Sequence, residues 1–246
     1  MRGRVRVEPC QRRVRAYLAG TCVLDTTRAS YVWEVPYYPK YYVPLDDVRA
    51  ELVPNGETLR SPSRGDATVF DVHAGDAVEP SGALQHRDAP LEEIRDRVRF
   101  TWEGALQWFE EDEPVYTHPR DPYTRVDVLA SSRHVVVEVD GHVVADSRSA
   151  HVLYETGLPP RFYLPLTDVR LDWMQPTDSE SHCPYKGVAT YWSLTLGGQR
   201  YEDFVWCYRS PFAESQKVAG LVCFYNEKVD LIIDGVRQER PHTKFS

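Results

Sequence analysis

The sequence predicts a mainly β protein of two homologous antiparallel domains with few short helices. The first observation is an internal duplication: residues 39–49 match residues 160–170, and the same shift aligns Glu34 with Glu155. The second is a series of short β-branched and aromatic runs separated by turn residues. The third is the content of tyrosine and proline, 15 and 18 of 246 residues, which favours strands and shaped loops over long helices.

The duplication also sets the domain boundaries. Because its period is the size of a domain, it indicates two tandem copies and not a solenoid. We expect an N-terminal repeat over residues 1–122 and a C-terminal repeat over residues 123–246. Residues 117–123 contain two prolines and no apolar period, which is typical of an extended link.

Turn signals divide each repeat into hairpins and strands. Asp140-Gly141 lies between β-branched runs, which is a strong hairpin signal, and Ala19-Gly20 takes its place in the first repeat. Asp234-Gly235 predicts a further turn near the end. Residues 71–92 are polar and contain glycine and proline, so we expect a loop there with one helical turn over residues 91–95. The patterns predict strands over residues 31–35, 41–44, 98–102, 152–155, 162–165, 188–194, 221–225 and 229–236.

Composition and charge narrow the class of protein. The formal net charge of −8 argues against a general nucleic-acid or membrane-surface binder, and no apolar run approaches the length of a membrane span. The five cysteines are dispersed and form no Cys-x-x-Cys pair, which indicates reduced thiols in a cytoplasmic protein. We expect no metal and no cofactor, since no four-ligand Cys/His set has the required spacing.

The most reactive side chains are concentrated in residues 181–187, Ser-His-Cys-Pro-Tyr-Lys-Gly. A thiol, an imidazole, a phenol and an ammonium group precede a predicted strand there, where functional residues are common. In the first repeat Ser61 replaces Cys183 and Arg60 replaces His182, whereas a basic residue and the glycine are retained. The C-terminal repeat is therefore expected to carry the intact site and the N-terminal repeat a degenerate one.

Two interpretations of this motif stay open. Cys183 is a candidate nucleophile or covalent anchor, because the nearby Lys186 and His182 favour a thiolate, but an inert buried thiol fits the same position. Lys186 and its counterpart Arg64 are candidate cations for a ligand carboxylate or phosphate, and the alternative is a solvated charge at the start of a strand.

Carboxylates and tyrosines supply the remaining candidates. Glu155 and Glu34 end apolar strands, where they are candidate general bases or else ion-pair partners of the basic residue at the Lys40/Arg161 position. The candidate catalytic set is Cys183, Lys186, His182 and Glu155. The candidate ligand-binding set is Arg161, Tyr163, Tyr185 and Tyr191 in the second repeat, with Glu34, Tyr42 and Arg64 in the first. Each tyrosine is also compatible with a purely packing role, which we favour for Tyr191.

The chain resembles a bacterial and fungal family catalogued as a domain of unknown function and sometimes labelled nucleotidyltransferase-like. The resemblance rests on Trp33-Glu34, the Pro-x-Tyr-Tyr-x-Pro run over residues 39–44, the link over residues 118–123 and the Cys-Pro-Tyr-Lys-Gly motif over residues 183–187. It implies a β-tent fold, in which two sheets meet over a pocket. Some β-tent relatives carry zinc on paired Cys-x-x-Cys motifs, which are absent from this sequence. The nucleotidyltransferase label finds no glycine-rich phosphate loop or spaced metal-binding aspartates.

These observations predict a cytoplasmic protein that binds a small molecule, with Cys183 serving covalent group transfer or hydrolysis in a pocket of the C-terminal domain. Lys186 would clamp an anion, and Glu155 and His182 are the acid–base candidates. The alternatives are a non-catalytic ligand- or peptide-binding module and, by family label only, a nucleotidyltransferase. The sequence leaves the substrate, the reaction and the oligomeric state open.

Overall fold

A computed structural model of the chain describes residues 5–243. The chain divides into two compact units, Met1–Asp121 and Pro122–Ser246, so the division falls one residue before the expected boundary. All pairs of named strands are antiparallel within the part of the chain that is described. The prediction of a mainly β, two-domain fold with few short helices is confirmed.

Over its described residues, which begin at residue 5, the N-terminal unit contains eleven strands in two sheets. The strands are β1 (Arg6–Pro9), β2 (Val14–Leu18), β3 (Thr21–Thr26), β4 (Ser30–Val35), β5 (Tyr38–Pro44), β6 (Glu51–Ser61), β7 (Gly65–Ala74), β8 (Ala77–Gln85), β9 (Arg97–Phe100), β10 (Leu106–Glu110) and β11 (Glu113–Val115). The wide sheet has the order β1-β4-β5-β9-β8-β7-β6, and the narrow sheet has the order β11-β10-β2-β3. Two short 3-10 helices cover Leu45–Asp47 and Glu92–Ile94.

The C-terminal unit repeats this topology strand for strand. Its strands are β12 (Val126–Ser131), β13 (Val135–Val139), β14 (His142–Ser147), β15 (Ala150–Glu155), β16 (Arg161–Leu164), β17 (Met174–Cys183), β18 (Gly187–Leu196), β19 (Gln199–Tyr208), β20 (Val222–Phe224), β21 (Asp230–Ile233) and β22 (Val236–Arg237). The wide sheet has the order β12-β15-β16-β20-β19-β18-β17, and the narrow sheet has the order β14-β13-β21-β22. Its 3-10 helices cover Leu166–Asp168, Leu171–Trp173 and Ala213–Val218.

Each unit has its main core between its wide and narrow sheets. In the C-terminal unit, Val137 and Leu231 of the narrow sheet belong to the same buried cluster as Leu164, Val205 and Val222 of the wide sheet. The alternation of side chains along a strand places the neighbouring residues on the opposite face of the wide sheet. That second face carries a separate buried cluster, and it holds the candidate site.

The longest hairpin of each unit bends at β-bulges that occur at equivalent places. The pairing shifts register within residues 176–180 of β17 and within residues 192–194 of β18. The N-terminal unit has the matching shifts within residues 54–58 and 70–72. Because a bulge bends its strand and increases the local twist, one part of the hairpin faces the main core and the other part faces the second cluster.

A positive-φ residue and a side-chain hydrogen bond stabilise the bulges in both units. Asp203 has a φ of 51°, its backbone N–H donates to Ser193 Oγ at 3.2 Å, and Thr177 Oγ1 donates to its Oδ1 at 2.8 Å. Ser81 has a φ of 50°, and its N–H donates to Asp71 Oδ1 at 2.8 Å. The duplication therefore extends to the irregular backbone.

The bulge explains why strand β8 was expected to be a loop. Residues 71–92 were expected to form a loop, but they contain the end of β7 and the nine-residue strand β8. The run Pro80-Ser81-Gly82 resembles a turn because it forms the bulge, and the bulge also breaks the period-2 pattern. The helical turn expected over residues 91–95 is present as the 3-10 helix Glu92–Ile94.

No helix within residues 5–243 is long and apolar enough to cross a membrane.

Candidate functional site

The candidate site lies on the second face of the wide sheet in the C-terminal unit. Strands β15, β16 and β20 present Leu153, Tyr163 and Cys223 to one buried cluster, and β19 presents Trp206 and Tyr208 to it. Cys183 and Tyr191 pack against its edge. We call this surface the inner face, because the wide sheet curls around it.

One ion pair shows that the wide sheet curls. Lys186, in the turn between β17 and β18, contacts the carboxylate of Glu155 at the end of β15 through its Nζ. Four steps separate β15 from β18 in the sheet, which would place them roughly 19 Å apart in a flat sheet with strands about 4.8 Å apart. The contact therefore requires the sheet to curl and makes the inner face concave.

The turn that carries Lys186 has a sequence suited to its shape. The Lys186 N–H donates to the carbonyl of Cys183 at 3.4 Å, Pro184 occupies the second turn position, and Gly187 follows with a φ of +95°. This is the pattern of a tight turn followed by a left-handed glycine, which proline and glycine both favour. The equivalent turn, residues 61–65, has the same backbone bond and a glycine with a φ of +81°.

Lys186 is a buried cation whose neighbours are the Glu155 carboxylate and the Cys183 thiol. The residue is 8% exposed, and it interacts with the Cys183 thiol as well as with Glu155. Burial lowers the pKa of Lys186, but the charges of Cys183 and Glu155 and hydrogen bonds to both outweigh it, so the pKa lies above its ordinary value of 10.5. The alternative of a solvated cation is wrong, because the ammonium group is enclosed and partnered.

Tyr208 completes the group around the thiol. It is 5% exposed, and burial together with the charges of Cys183, Tyr191 and Glu155 raises the pKa of its hydroxyl far above the ordinary range. The hydroxyl therefore stays protonated at neutral pH and is a hydrogen-bond donor within the site. Tyr208 was not among the residues expected at the site, because it lies at the end of an apolar run that is typical of a core strand.

The predicted ligand-binding tyrosines have different positions. Tyr163 is 1% exposed and its hydroxyl accepts a hydrogen bond from Trp206 Nε1 at 3.1 Å, so it forms the floor of the inner face. The Tyr191 and Ser181 hydroxyls are 2.6 Å apart at the rim, where Tyr191 is half-buried and Ser181 is exposed. Tyr185 lies half-buried in the turn itself.

Arg161 forms a second buried ion pair. Its Nη1 and Nη2 donate to the two carboxylate oxygens of Glu227, each at 2.7 Å, and the carboxylate side chain is fully buried. One of the two interpretations of Glu155 paired it with the basic residue at this position, and the structure instead pairs Glu155 with Lys186. The register of β15 and β16 places Arg161 opposite Leu153, which lies two residues before Glu155, so the two charges find separate partners.

His182 is exposed on β17, directly before Cys183. Because side chains alternate along a strand, its imidazole points to the opposite face from the thiol. The structure therefore does not bring His182 into the group formed by Cys183, Lys186, Glu155 and Tyr208.

The N-terminal unit has a related arrangement with different charges. Glu34 accepts a hydrogen bond from the Tyr42 hydroxyl at 2.8 Å and pairs with Arg64 Nη1 at 2.5 Å and with Arg99 Nη1 at 3.1 Å. Burial raises the pKa of Glu34, but Arg99, Arg64 and the hydrogen bonds outweigh it, so the pKa lies below its ordinary value of 4.5. Glu34 is thus an ion-pair partner, but its basic partners are Arg64 and Arg99 and not Lys40.

Two surface cavities lie away from these groups. One of about 390 Å³ is lined by Thr177, Arg200 and Asp203 among others, and one of about 520 Å³ is lined by residues including Arg28 and Arg97. Neither cavity is lined by the motif residues 183–187. Within residues 5–243, no group of three or more His, Cys, Asp or Glu side chains is arranged to hold a metal ion.

Comparison with protein-family models assigns both halves of the chain to one family. The model described as Domain of unknown function (DUF427) matches residues 6–111 and residues 127–235, which together make up most of the chain. This confirms the tandem resemblance derived from the motifs. A search of curated proteins found no match.

The first prediction concerns the buried pair of Arg161 and Glu227. Glu227→Gln should lower the free energy of unfolding of the C-terminal unit by about 3–5 kcal/mol, because it leaves a buried guanidinium without its counter-charge. Chemical denaturation measures the change. Glu202→Gln is the control, since the pair of Glu202 with Arg200 is exposed and should contribute less than about 1 kcal/mol. Equal effects of the two substitutions would contradict the assignment.

The second prediction concerns the acid sensitivity of the N-terminal unit. A carboxylate with a lowered pKa contributes stability that is present above the unfolded value, here about 4.5, and is lost as the pH falls through the folded value. Glu34→Gln should therefore lower the melting temperature at pH 7, and the difference from the natural protein should shrink as the pH drops below 4.5. Melting curves between pH 3 and pH 7 test this, and a difference that does not change with pH would refute it.

Proposed function

We propose, for a chain that belongs to the family described as Domain of unknown function (DUF427), that the C-terminal unit binds a small molecule and uses Cys183 to transfer or hydrolyse an acyl group. The observation that carries the proposal is the position of Lys186, which is buried, contacts the Glu155 carboxylate and lies three residues after Cys183 in the same tight turn. A nucleophilic thiol, a fixed cation and a carboxylate are the parts that such chemistry needs.

Lys186 is suited to stabilise negative charge at the thiol. Its raised pKa keeps it protonated throughout the neutral range, and a neighbouring cation favours thiolate over thiol. Its hydrogen bond to Glu155 and its burial fix its position, so little reorganisation is needed when charge develops on the sulfur.

The remaining groups support a balanced sequence of steps. Glu155 takes the proton from the Cys183 thiol, the sulfur attacks the acyl carbon, and the bond to the leaving group breaks as that group takes the proton back. The Lys186 ammonium and the Tyr208 hydroxyl are the donors available to the oxyanion of the tetrahedral intermediate. Water then attacks the thioester, which releases the acid and restores the thiol.

We also propose where the protein is located and which class of partner it binds. We propose a cytoplasmic protein, since its five cysteines are all free thiols that a reducing compartment would preserve. The partner is a small molecule and not a nucleic acid, because the net charge of −8 opposes binding to phosphate backbones.

The second candidate is a module that binds a ligand without chemistry. The aromatic floor of the inner face favours this candidate. The ring centroids of Trp206 and Tyr225 are 4.5 Å apart, and Trp206 also contacts Tyr163. Aromatic walls of this kind bind apolar ligands in proteins that perform no reaction. In such a module the thiol would be a packing group and its reactivity would be ordinary.

The third prediction separates the two candidates by thiol reactivity. Iodoacetamide labelling of the native protein at pH 7, followed by peptide mass spectrometry, should show Cys183 reacting about tenfold or more faster than Cys22. Cys22 is a matched control because it is also half-buried and has a cation nearby, Arg49 Nη1 at 3.7 Å. Equal or slower labelling of Cys183 would support the binding module.

Variants provide a second test of the role of the Cys183 thiol. Reaction with p-nitrophenyl acetate should give a burst of one p-nitrophenolate per chain, which Cys183→Ser abolishes while the melting curve stays close to that of the natural protein. The double variant Lys186→Met/Glu155→Gln removes both charges together, so it avoids an unpaired buried ion, and it should slow labelling of Cys183 but not of Cys22. A burst that persists in Cys183→Ser would overturn the proposed role of the thiol.

A further inference from the structure

The two units differ in how they balance the buried charges on equivalent strands. In the C-terminal unit Lys186 is matched by Glu155, and Arg161 is matched by the buried Glu227. Cys223 on β20 lies between these two ion pairs. It is uncharged and completely buried. The positive and negative side chains of that inner face therefore cancel.

The N-terminal unit has the same framework with an excess of positive charge. The strand pairing that places Cys223 beside Trp206 on β20 and β19 places Arg99 beside Leu84 on β9 and β8. Arg99 thus adds a cation where the second copy has a thiol. Together with Arg64 it shares the single carboxylate of Glu34, and both arginine side chains are only 18% exposed.

Lys40 adds a third cation to this group. Lys40 occupies the position that Arg161 has in the second copy. The residue at the position of Glu227 is Glu103, which is exposed. Burial keeps the pKa of Lys40 below its ordinary value, and the positive charge of Arg99 adds to the effect although Glu103 and Glu34 oppose it. Lys40 is therefore a partly buried cation beside Arg99, and its counter-charges are the exposed Glu103 and the Glu34 carboxylate that Arg64 and Arg99 already share.

The group also contains a donor that no protein atom satisfies. Arg99 Nε is buried and has no hydrogen-bond partner among the residues that the structure describes. An unpaired buried donor on a cation is costly, and an anion that accepts its hydrogen bond would remove that cost. Carboxylate and phosphate groups fit the planar fork of an arginine side chain.

We infer that the N-terminal unit has its own ligand site, at which Arg64, Arg99 and Lys40 bind the carboxylate or phosphate group of a small anionic molecule. The site is independent of the thiol chemistry proposed for the C-terminal unit, because Ser61 occupies the position of Cys183 and its Oγ accepts a hydrogen bond from Arg64 Nε at 3.2 Å. A hydroxyl held in this way assists binding through Arg64 and performs no thiol chemistry.

A histidine beside the arginines provides a direct readout. His86 takes the place of Tyr208, is 2% exposed and donates from Nδ1 to the carbonyl of Gly65 at 3.0 Å. Burial and the charges of Arg64 and Arg99 lower its pKa below the ordinary value of 6.5, while the Gly65 hydrogen bond and the charge of Glu34 oppose them. An anion that neutralises the arginines should therefore raise the pKa of His86.

The experiment is an NMR titration of the full chain with inorganic phosphate and, separately, with acetate. The His86 ring signal is assigned with His86→Gln, and its position is followed against anion concentration and pH. We expect a saturable shift with at least one anion and an upward displacement of the His86 pKa. Arg99→Met should weaken the apparent affinity about tenfold or more, which is the loss of one charge-assisted contact. Glu34 keeps Arg64 and Tyr42 as partners in this variant, so the fold should survive.

Two further variants complete the test. Arg49→Met is the matched control, since Arg49 belongs to the same unit but is exposed and pairs with Asp25, and it should leave the anion affinity unchanged. Lys40→Met should also weaken binding and serves as the test if Arg99→Met does not fold. The inference is overturned if neither anion shifts the His86 signal at concentrations up to about 50 mM, because binding would then be weaker than millimolar. It is also overturned if Arg99→Met and Lys40→Met bind the anion as well as Arg49→Met does.

Discussion

The contact between Lys186 and Glu155 joins two parts of one sheet that would lie far apart if the sheet were flat. It places a buried ammonium group against a carboxylate across four strand steps, and so it fixes the concave shape of the inner face. The bulges in β17 and β18 permit the bend, and the ion pair fixes its extent. A pair buried this deeply is costly to form, so its value lies in specifying one geometry, which is our hypothesis for this protein.

The same constraint is present in both copies, but it is used differently. Arg64 and Glu34 repeat the pair in the N-terminal unit, so the fold requires a cation from the turn and a carboxylate from the strand. Around this shared pair, one copy carries a thiol and a tyrosine, and the other carries a serine, a histidine and an additional arginine. The duplication thus preserves a structural pair and leaves its neighbours free to diverge towards separate ligands.

The sequence alone predicted the duplication and many of the strands, and it identified Cys183, Lys186 and Glu155 as candidate site residues. It did not predict which charges would meet, because Glu155 and Lys186 are joined by curl of the sheet and not by sequence distance. Strand β8 was missed since its bulge resembles a turn. Tyr208 and Arg99 were missed for a different reason: each stands in a run typical of a core strand, and only the strand register shows that it faces the site.

The central claim is that Lys186 is a permanent cation enclosed between a thiol and a carboxylate. The most direct measurement is the pKa of the Lys186 side chain by NMR, in the natural protein and in Cys183→Ala. The account predicts a pKa above 10.5 in the natural protein and a lower value in the variant, because negative charge on the Cys183 sulfur raises it. A pKa at or below 10.5, or one that does not change when the thiol is removed, would contradict the account.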